Sequence, residues 1–257
     1  MTVLDLWNDP AVTVLATMRG LALLVAGPVF GHPALPMRVR VAFAMGLALA
    51  LAPPGLEAFR GIEPGLALAE MVAGELLVGL CMGFALNLVF AGIALLGEVI
   101  ALQGGLGAAT ALDPTSNASS AALSGLFQLV ALLIFLGIDG HHAMLRLGRA
   151  SFDAIPLGAA GLSSLDFAAL FGLGSFVFEL AVRLAAPITV AMFAANVGVA
   201  LLGRALPQLN LMTLQLPALV GVAFLLLGLG AGELSHWIAG ALSQWPVRVG
   251  ATMGIGG

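Results

Sequence analysis

The sequence predicts an all-α integral membrane protein, and three observations carry that prediction. Of its 257 residues, 61% are hydrophobic and only 9% are charged, whereas a water-soluble domain carries about 25% charge. The mean hydropathy is +1.11. The apolar residues come in long continuous runs: positions 66–102 are interrupted only by Glu70, Glu75, Asn87 and Glu98. In lipid a backbone must satisfy its own N–H and C=O groups, which favours helices for such runs. One membrane domain over 1–257 is expected, built of long, partly broken helices and helical hairpins.

Composition excludes several classes of function. A net charge of −4, with no basic cluster, argues against a nucleic-acid partner. All nine basic residues are Arg. A single cysteine, Cys81, allows no intrachain disulfide and no cysteine-based metal site. The opening MTVLDLWNDP has acids and no basic region, so it does not read as a cleaved secretory signal. The first apolar segment is expected to remain as a structural helix.

The elements follow in order. Residues 11–31 form a first apolar segment that contains Arg19, and Pro33, Pro36, Arg38 and Arg40 make a basic turn. A second segment covers about 41–52 and stops at Pro53-Pro54. The run 66–102 comes next, and residues 121–138 form a further span. The stretch 139–166 is the most polar of the chain, with Asp139 expected to cap the helix that begins there. Ser163-Ser164-Leu165-Asp166 resembles a capping box and starts a helix through about Leu202, closed by Gly203 and Pro207. Pro217 is expected to open the last helix, about 217–243.

Two of these runs, 66–102 and 164–202, have awkward lengths. A span needs about 20 residues and a hairpin of two spans over 40. As single helices they would measure about 55–60 Å. A tight hairpin and one long helix packed against protein are both open. GxxxG pairs occur at Gly27/Gly31, Gly61/Gly65, Gly79/Gly83, Gly228/Gly232 and Gly250/Gly254. In a chain with 34 glycines that is no more than chance supplies, so the pattern alone carries no weight as a packing motif.

Between two apolar runs lies a polar island, GGLGAATALDPTSNASS, residues 104–120. Gly104, Gly105 and Gly107 allow bending at one end, and Asp113-Pro114 fixes a turn at the other. Irregular backbone between such segments must be hydrated or packed in protein, so the island is a candidate channel-lining or channel-closing loop. Glu98 and Gln103 lie just before it. Pro207-Gln208-Leu209-Asn210 is a second polar break, with Gln208 and Asn210 placed to bind freed backbone groups or a neighbouring subunit.

The remaining charges give little chemistry. Glu179 and Arg183, at i and i+4, are expected to neutralise each other in a membrane helix. Glu70 and Glu75 are five apart and do not share a helix face. His141 and His142 are adjacent, and no carboxylate is expected in position to join them, so no metal site is expected. Arg146 and Arg149 look like an exposed basic edge. There is no GxSxG, HExxH, Walker loop or CxxC, so no enzyme, cofactor or nucleotide-coupled activity is expected.

In combination, three stretches are specific. They are GEVIALQGGLGAATALDP (97–114), GIDGHHAMLRLGRASFDAIPLG (137–158) and RALPQLNLMTLQLPALVGVAFLLL (204–227). They resemble, in matching order, the FliR family of the flagellar type III export gate, which has homologues in virulence injectisomes. The resemblance covers most of the chain. It implies a helical export-gate assembly with FliP-like and FliQ-like subunits, one FliR-type chain per gate, and FlhB-like and FlhA-like export proteins as neighbours. Residues 1–165 would be the FliP-like part and 166–257 a FliQ-like hairpin and tail.

The resemblance further implies a multi-pass protein of the bacterial inner membrane at the base of the flagellum. It would pass unfolded protein substrates driven by an associated ATPase and the proton motive force. The loop matching 104–120 would contribute to a channel plug. Relatives often carry Phe near the Asp-Pro turn, where Ala108 and Ala111 stand here, so sealing would draw on neighbouring subunits. The alternatives are an injectisome gate subunit and a small-solute secondary transporter. The latter calls for an internal repeat with matched broken helices, which the two halves do not show.

Overall fold

The computed structural model describes residues 9–31, 36–51, 65–104, 118–159, 167–205 and 211–252. Among these residues there are seven helices and no strand: α1 (Pro10–Ala26), α2 (Met37–Leu51), α3 (Leu66–Gln103), α4 (Ala118–Gly137), α5 (Gly140–Ala154), α6 (Phe167–Ala205) and α7 (Leu211–Thr252). Three helices are long and apolar enough to cross a membrane, or four if the bent pair α4 and α5 forms one span.

Local chemistry sets the helix ends. The Asp9 carboxylate accepts from the Ala11 and Val12 amides at 3.0 and 3.5 Å, and Pro10 stands where no helical N–H is required. At its other end α1 stops at Ala26 and not near 31. Gly27 precedes Pro28, whose ring disfavours helical ψ in the residue before it, and Gly27 is extended at φ −76°, ψ 152°. Arg38 and Arg40 belong to α2 and not to a turn. The Pro36 carbonyl accepts from the Val39 and Arg40 amides.

The two runs of awkward length are both single helices. α3 is continuous over 38 residues and α6 over 39, so neither is a hairpin. α6 passes through Gly203 to Ala205, and through Pro187, which leaves the Arg183 carbonyl without its helical donor. The candidate capping box at 163–166 lies outside the described residues. α7 starts six residues before Pro217, runs past 243 to Thr252 and carries Pro246 within it.

The chain divides into two compact units, residues 1–89, 139–175 and 243–257 in one, and 90–138 and 176–242 in the other. In the first, Val12, Leu15 and Ala16 of α1 bury themselves with Phe152 of α5 and Leu157, and Leu68, Met71 and Val72 of α3 close over them. α1 meets α3 at a notch made by Gly79 and Gly83. A Cβ at Gly79 would run into the Arg19 carbonyl and lie 2.7 Å from Ala22 Cβ. One at Gly83 would lie 2.6 Å from Ala26 Cβ and 2.7 Å from the Leu23 carbonyl. This GxxxG pair is a real packing motif, as its chance frequency did not suggest. Gly228 and Gly232, with the same spacing, face open space within the chain.

In the second unit α3 meets α4 at Gly97. A Cβ there would sit 2.7 Å from Ser124 Cα and 2.9 Å from the Leu123 carbonyl. Phe90 of α3 and Phe135 of α4 pack edge to face at 5.7 Å.

Candidate functional site

The most developed polar site is buried in the first unit. Arg19 of α1 is 1% exposed and Glu75 of α3 is 0% exposed. A lone charge in such a place costs several kcal/mol, so each needs the other. Arg19 Nε donates to Glu75 Oε2 at 2.7 Å and Nη2 donates to Oε1 at 3.1 Å, a two-pronged pairing that only a guanidinium supplies.

The other contacts come from one short stretch, Ser151 to Gly158, at the end of α5. Arg19 Nη1 donates to Ser151 Oγ at 3.1 Å and to the Ile155 carbonyl at 3.0 Å. Ser151 Oγ in turn donates to the Gly148 carbonyl at 2.7 Å. The Phe152 ring centroid lies 4.2 Å from the guanidinium carbon, a cation–π contact. The Gly158 N–H donates to Glu75 Oε1 at 2.9 Å.

Pro156 and Gly158 set the geometry of that stretch. Pro156 ends the helix by holding Ile155 extended at φ −122°, ψ 93°, which turns the Ile155 carbonyl off the helical ladder. Gly158 has φ 73°, a left-handed conformation that glycine adopts without strain and that aims its amide at Glu75. The pattern S-F-x-x-I-P-x-G is therefore the cradle of the Arg19–Glu75 pair. Sequence reasoning missed this pair because its members lie 56 positions apart. The available signal was a lone Arg in one apolar run and acidic residues without a basic neighbour in another.

The residues nominated from sequence fare differently. Glu70 is exposed while Glu75 is buried, in keeping with different helix faces. Arg183 Nη2 and Glu179 Oε1 pair at 2.5 Å, but their side chains are 67% and 56% exposed, so this pair sits on the outer surface of the chain. If lipid or another subunit covers that face, Arg183→Ala leaves Glu179 unneutralised. That variant is expected to lower the thermal midpoint of the assembled complex more than the Glu179→Ala/Arg183→Ala double variant. Equal losses would assign the two side chains independent roles.

Glu98 is exposed. Gln103 is half-buried, and its carbonyl accepts from Asn196 Nδ2 at 3.5 Å. Gly104 is buried at the end of α3, its amide donating to the Ile100 carbonyl at 2.8 Å. Gly105, Gly107, Ala108, Ala111, Asp113, Pro114, Pro207, Gln208 and Asn210 lie outside the described residues. Arg146 is exposed but Arg149 is only half-exposed, with Nη1 shielded, so the two do not form one open basic edge.

Two expectations around 139–142 are corrected. Asp139 stands at the N-cap of α5, but its side chain makes no capping bond there. Its Oδ1 lies instead 3.1 Å from His142 Nδ1. A carboxylate is thus in position beside the two adjacent imidazoles, whose rings lie against each other with centroids 4.1 Å apart.

Comparison with known proteins agrees over most of the chain. The family described as Bacterial export proteins, family 1 matches residues 11–245. The chain is similar to the flagellar biosynthetic protein FliR of Escherichia coli (strain K12), 31% identical over 210 residues, covering 82% of this chain and 80% of that protein. It is 32% identical over 212 residues to FliR of Pectobacterium carotovorum subsp. carotovorum, covering 82% and 81%. With FliR of Bacillus subtilis (strain 168) it shares 31% identity over 222 residues, 83% of each. The match spans the α1, α3 and α5 residues that build the buried centre, and the chain belongs to the FliR family of bacterial export proteins.

Proposed function

We propose that this chain is a channel-forming component of the bacterial flagellar type III protein export gate, passing unfolded flagellar subunits across the inner membrane. The observation that carries the reading is the family match over 11–245, with relatives named as flagellar biosynthetic proteins. On this reading the chain is a multi-pass protein at the base of the flagellum and not an enzyme. It works beside FliP-like and FliQ-like subunits, with FlhB-like and FlhA-like proteins as neighbours.

The distribution of apolar surface supports a subunit that completes itself in an assembly. Within the chain 56% of the apolar window of α3 is buried, against 22% for α6 and 11% for α7. Phe178, Phe193 and Leu229 stand exposed on the two less covered helices. In the gate such faces would meet other subunits or lipid.

The channel loop gives the test. In the proposed gate residues 104–120 help to close the channel, bending at Gly104, Gly105 and Gly107 and anchored at Asp113-Pro114. Deleting 106–116 while keeping the spans is expected to leave a gate that assembles and leaks small ions, read as conductance in vesicles containing the gate. A deleted gate that assembles and conducts no more than the intact one would reduce the loop to a connector. A chain stable and active alone would favour the small-solute transporter.

A further inference from the structure

The turn before α5 assembles a set of ligands that the export role does not use. An N-cap aspartate ordinarily turns its carboxylate onto the free amides of the first helical turn. Asp139 does not, and its backbone has φ 57°, the one positive φ of a non-glycine residue among the described residues. Its carboxylate faces His142, and one ligand atom each from Asp139, His141 and His142 lies within 4.8 Å of the others. Nδ1 of His141 is shielded from solvent and has no hydrogen-bond partner, so unprotonated it offers a lone pair.

We propose that Asp139, His141 and His142 form a binding site for a divalent transition-metal ion of the zinc class. Two imidazoles and one carboxylate suit zinc, nickel or copper and not magnesium or calcium, which take oxygen ligands. Zinc bonds of about 2.0–2.2 Å place neighbouring ligands about 3.3 Å apart. The Asp139–His142 separation of 3.1 Å is already near that value, and the His141 ligand atom, within 4.8 Å of both, would move closer on binding. The Asp139 and His142 side chains are 69% and 57% exposed, which gives the ion an entry path. Three protein ligands leave a fourth position for water or a group from a neighbouring chain. The ion would tie the 138–139 turn to the first turn of α5.

Purified full-length chain in detergent, stripped with chelator, would be titrated with zinc chloride by calorimetry. One ion per chain at micromolar affinity is expected. His142→Gln and Asp139→Asn should each weaken binding at least about tenfold, while His236→Gln, exposed on α7, should not. Zinc should also raise the thermal midpoint of the wild type and not that of His142→Gln. Should a variant fail to fold, cobalt added to the wild type provides the second readout, with intense tetrahedral d–d absorption expected. Affinity unchanged by His142→Gln, wild-type binding weaker than millimolar, or a purely octahedral cobalt spectrum would overturn the site and leave an Asp139–His142 hydrogen bond only.

Discussion

Glu75→Ala is expected to destabilise the first unit by about 3–5 kcal/mol, the usual cost of removing one partner of a buried ion pair. The loss exceeds that of one contact. Arg19 would remain 1% exposed with its Nε and Nη2 donors unanswered, and the Gly158 amide would lose its acceptor. Arg19→Ala is expected to fall in the same range, because Glu75, 0% exposed, would then be a buried carboxylate without a counter-charge, held by the Gly158 amide. Arg19→Lys is not a conservative rescue. An ammonium keeps the charge but cannot bond both carboxylate oxygens, Ser151 and the Ile155 carbonyl in one plane. Thermal midpoints in detergent, together with the amount of chain recovered from membranes, would measure these losses.

Gly83→Leu is expected to cost more than 3 kcal/mol and to separate α1 from α3, since overpacking by even a few methylenes costs about 1–3 kcal/mol and here the obstacle is backbone. The Leu23 carbonyl and Ala26 stand where the new side chain would begin, and neither can rotate away. Gly79→Ala should already be harmful, because its Cβ meets the carbonyl of Arg19 and pushes the guanidinium off Glu75. The control is Gly228→Ala, where nothing lies within 4 Å. There alanine should be neutral or stabilise the helix by about 0.5–1 kcal/mol. If Gly83→Leu and Gly228→Leu behave alike in the isolated chain, the notch does not hold the helices together.

These two sites also show what was legible in the sequence. The helical class and the positions of the apolar runs followed from composition and hydrophobic continuity, which depend on local residues alone. Whether 66–102 was a hairpin or one helix did not, because Gly79, Gly83 and Asn87 near its centre are compatible with a turn and the length lay between the two cases. Gly79/Gly83 and Gly228/Gly232 have the same spacing, and they differ only in whether another helix lies against them, which is a tertiary fact. Arg19 and Glu75 were each visible as a charge in an apolar run, but their pairing joins segments far apart in the chain. The stretch 151–158 was recognisable as a family pattern before its meaning was. Ser151, Phe152, Ile155 and Gly158 make sense only once Arg19 and Glu75 lie among them. Pro217 was read as a helix start because proline favours the first turn, yet the apolar run before it extends α7 back to Leu211.

The central claim is that Arg19, Glu75 and the 151–158 cradle act as one unit that joins α1, α3 and α5. A double-mutant cycle with Arg19→Met and Glu75→Met, read as thermal midpoint in detergent and as recovery of swimming in a host lacking its own copy, tests this most directly. Each single variant should be severely impaired. The double variant, with no unpaired charge left in the core, should recover part of the loss, giving a coupling of about 2 kcal/mol. Losses that add within about 0.5 kcal/mol, with a double variant worse than either single one, would contradict the account.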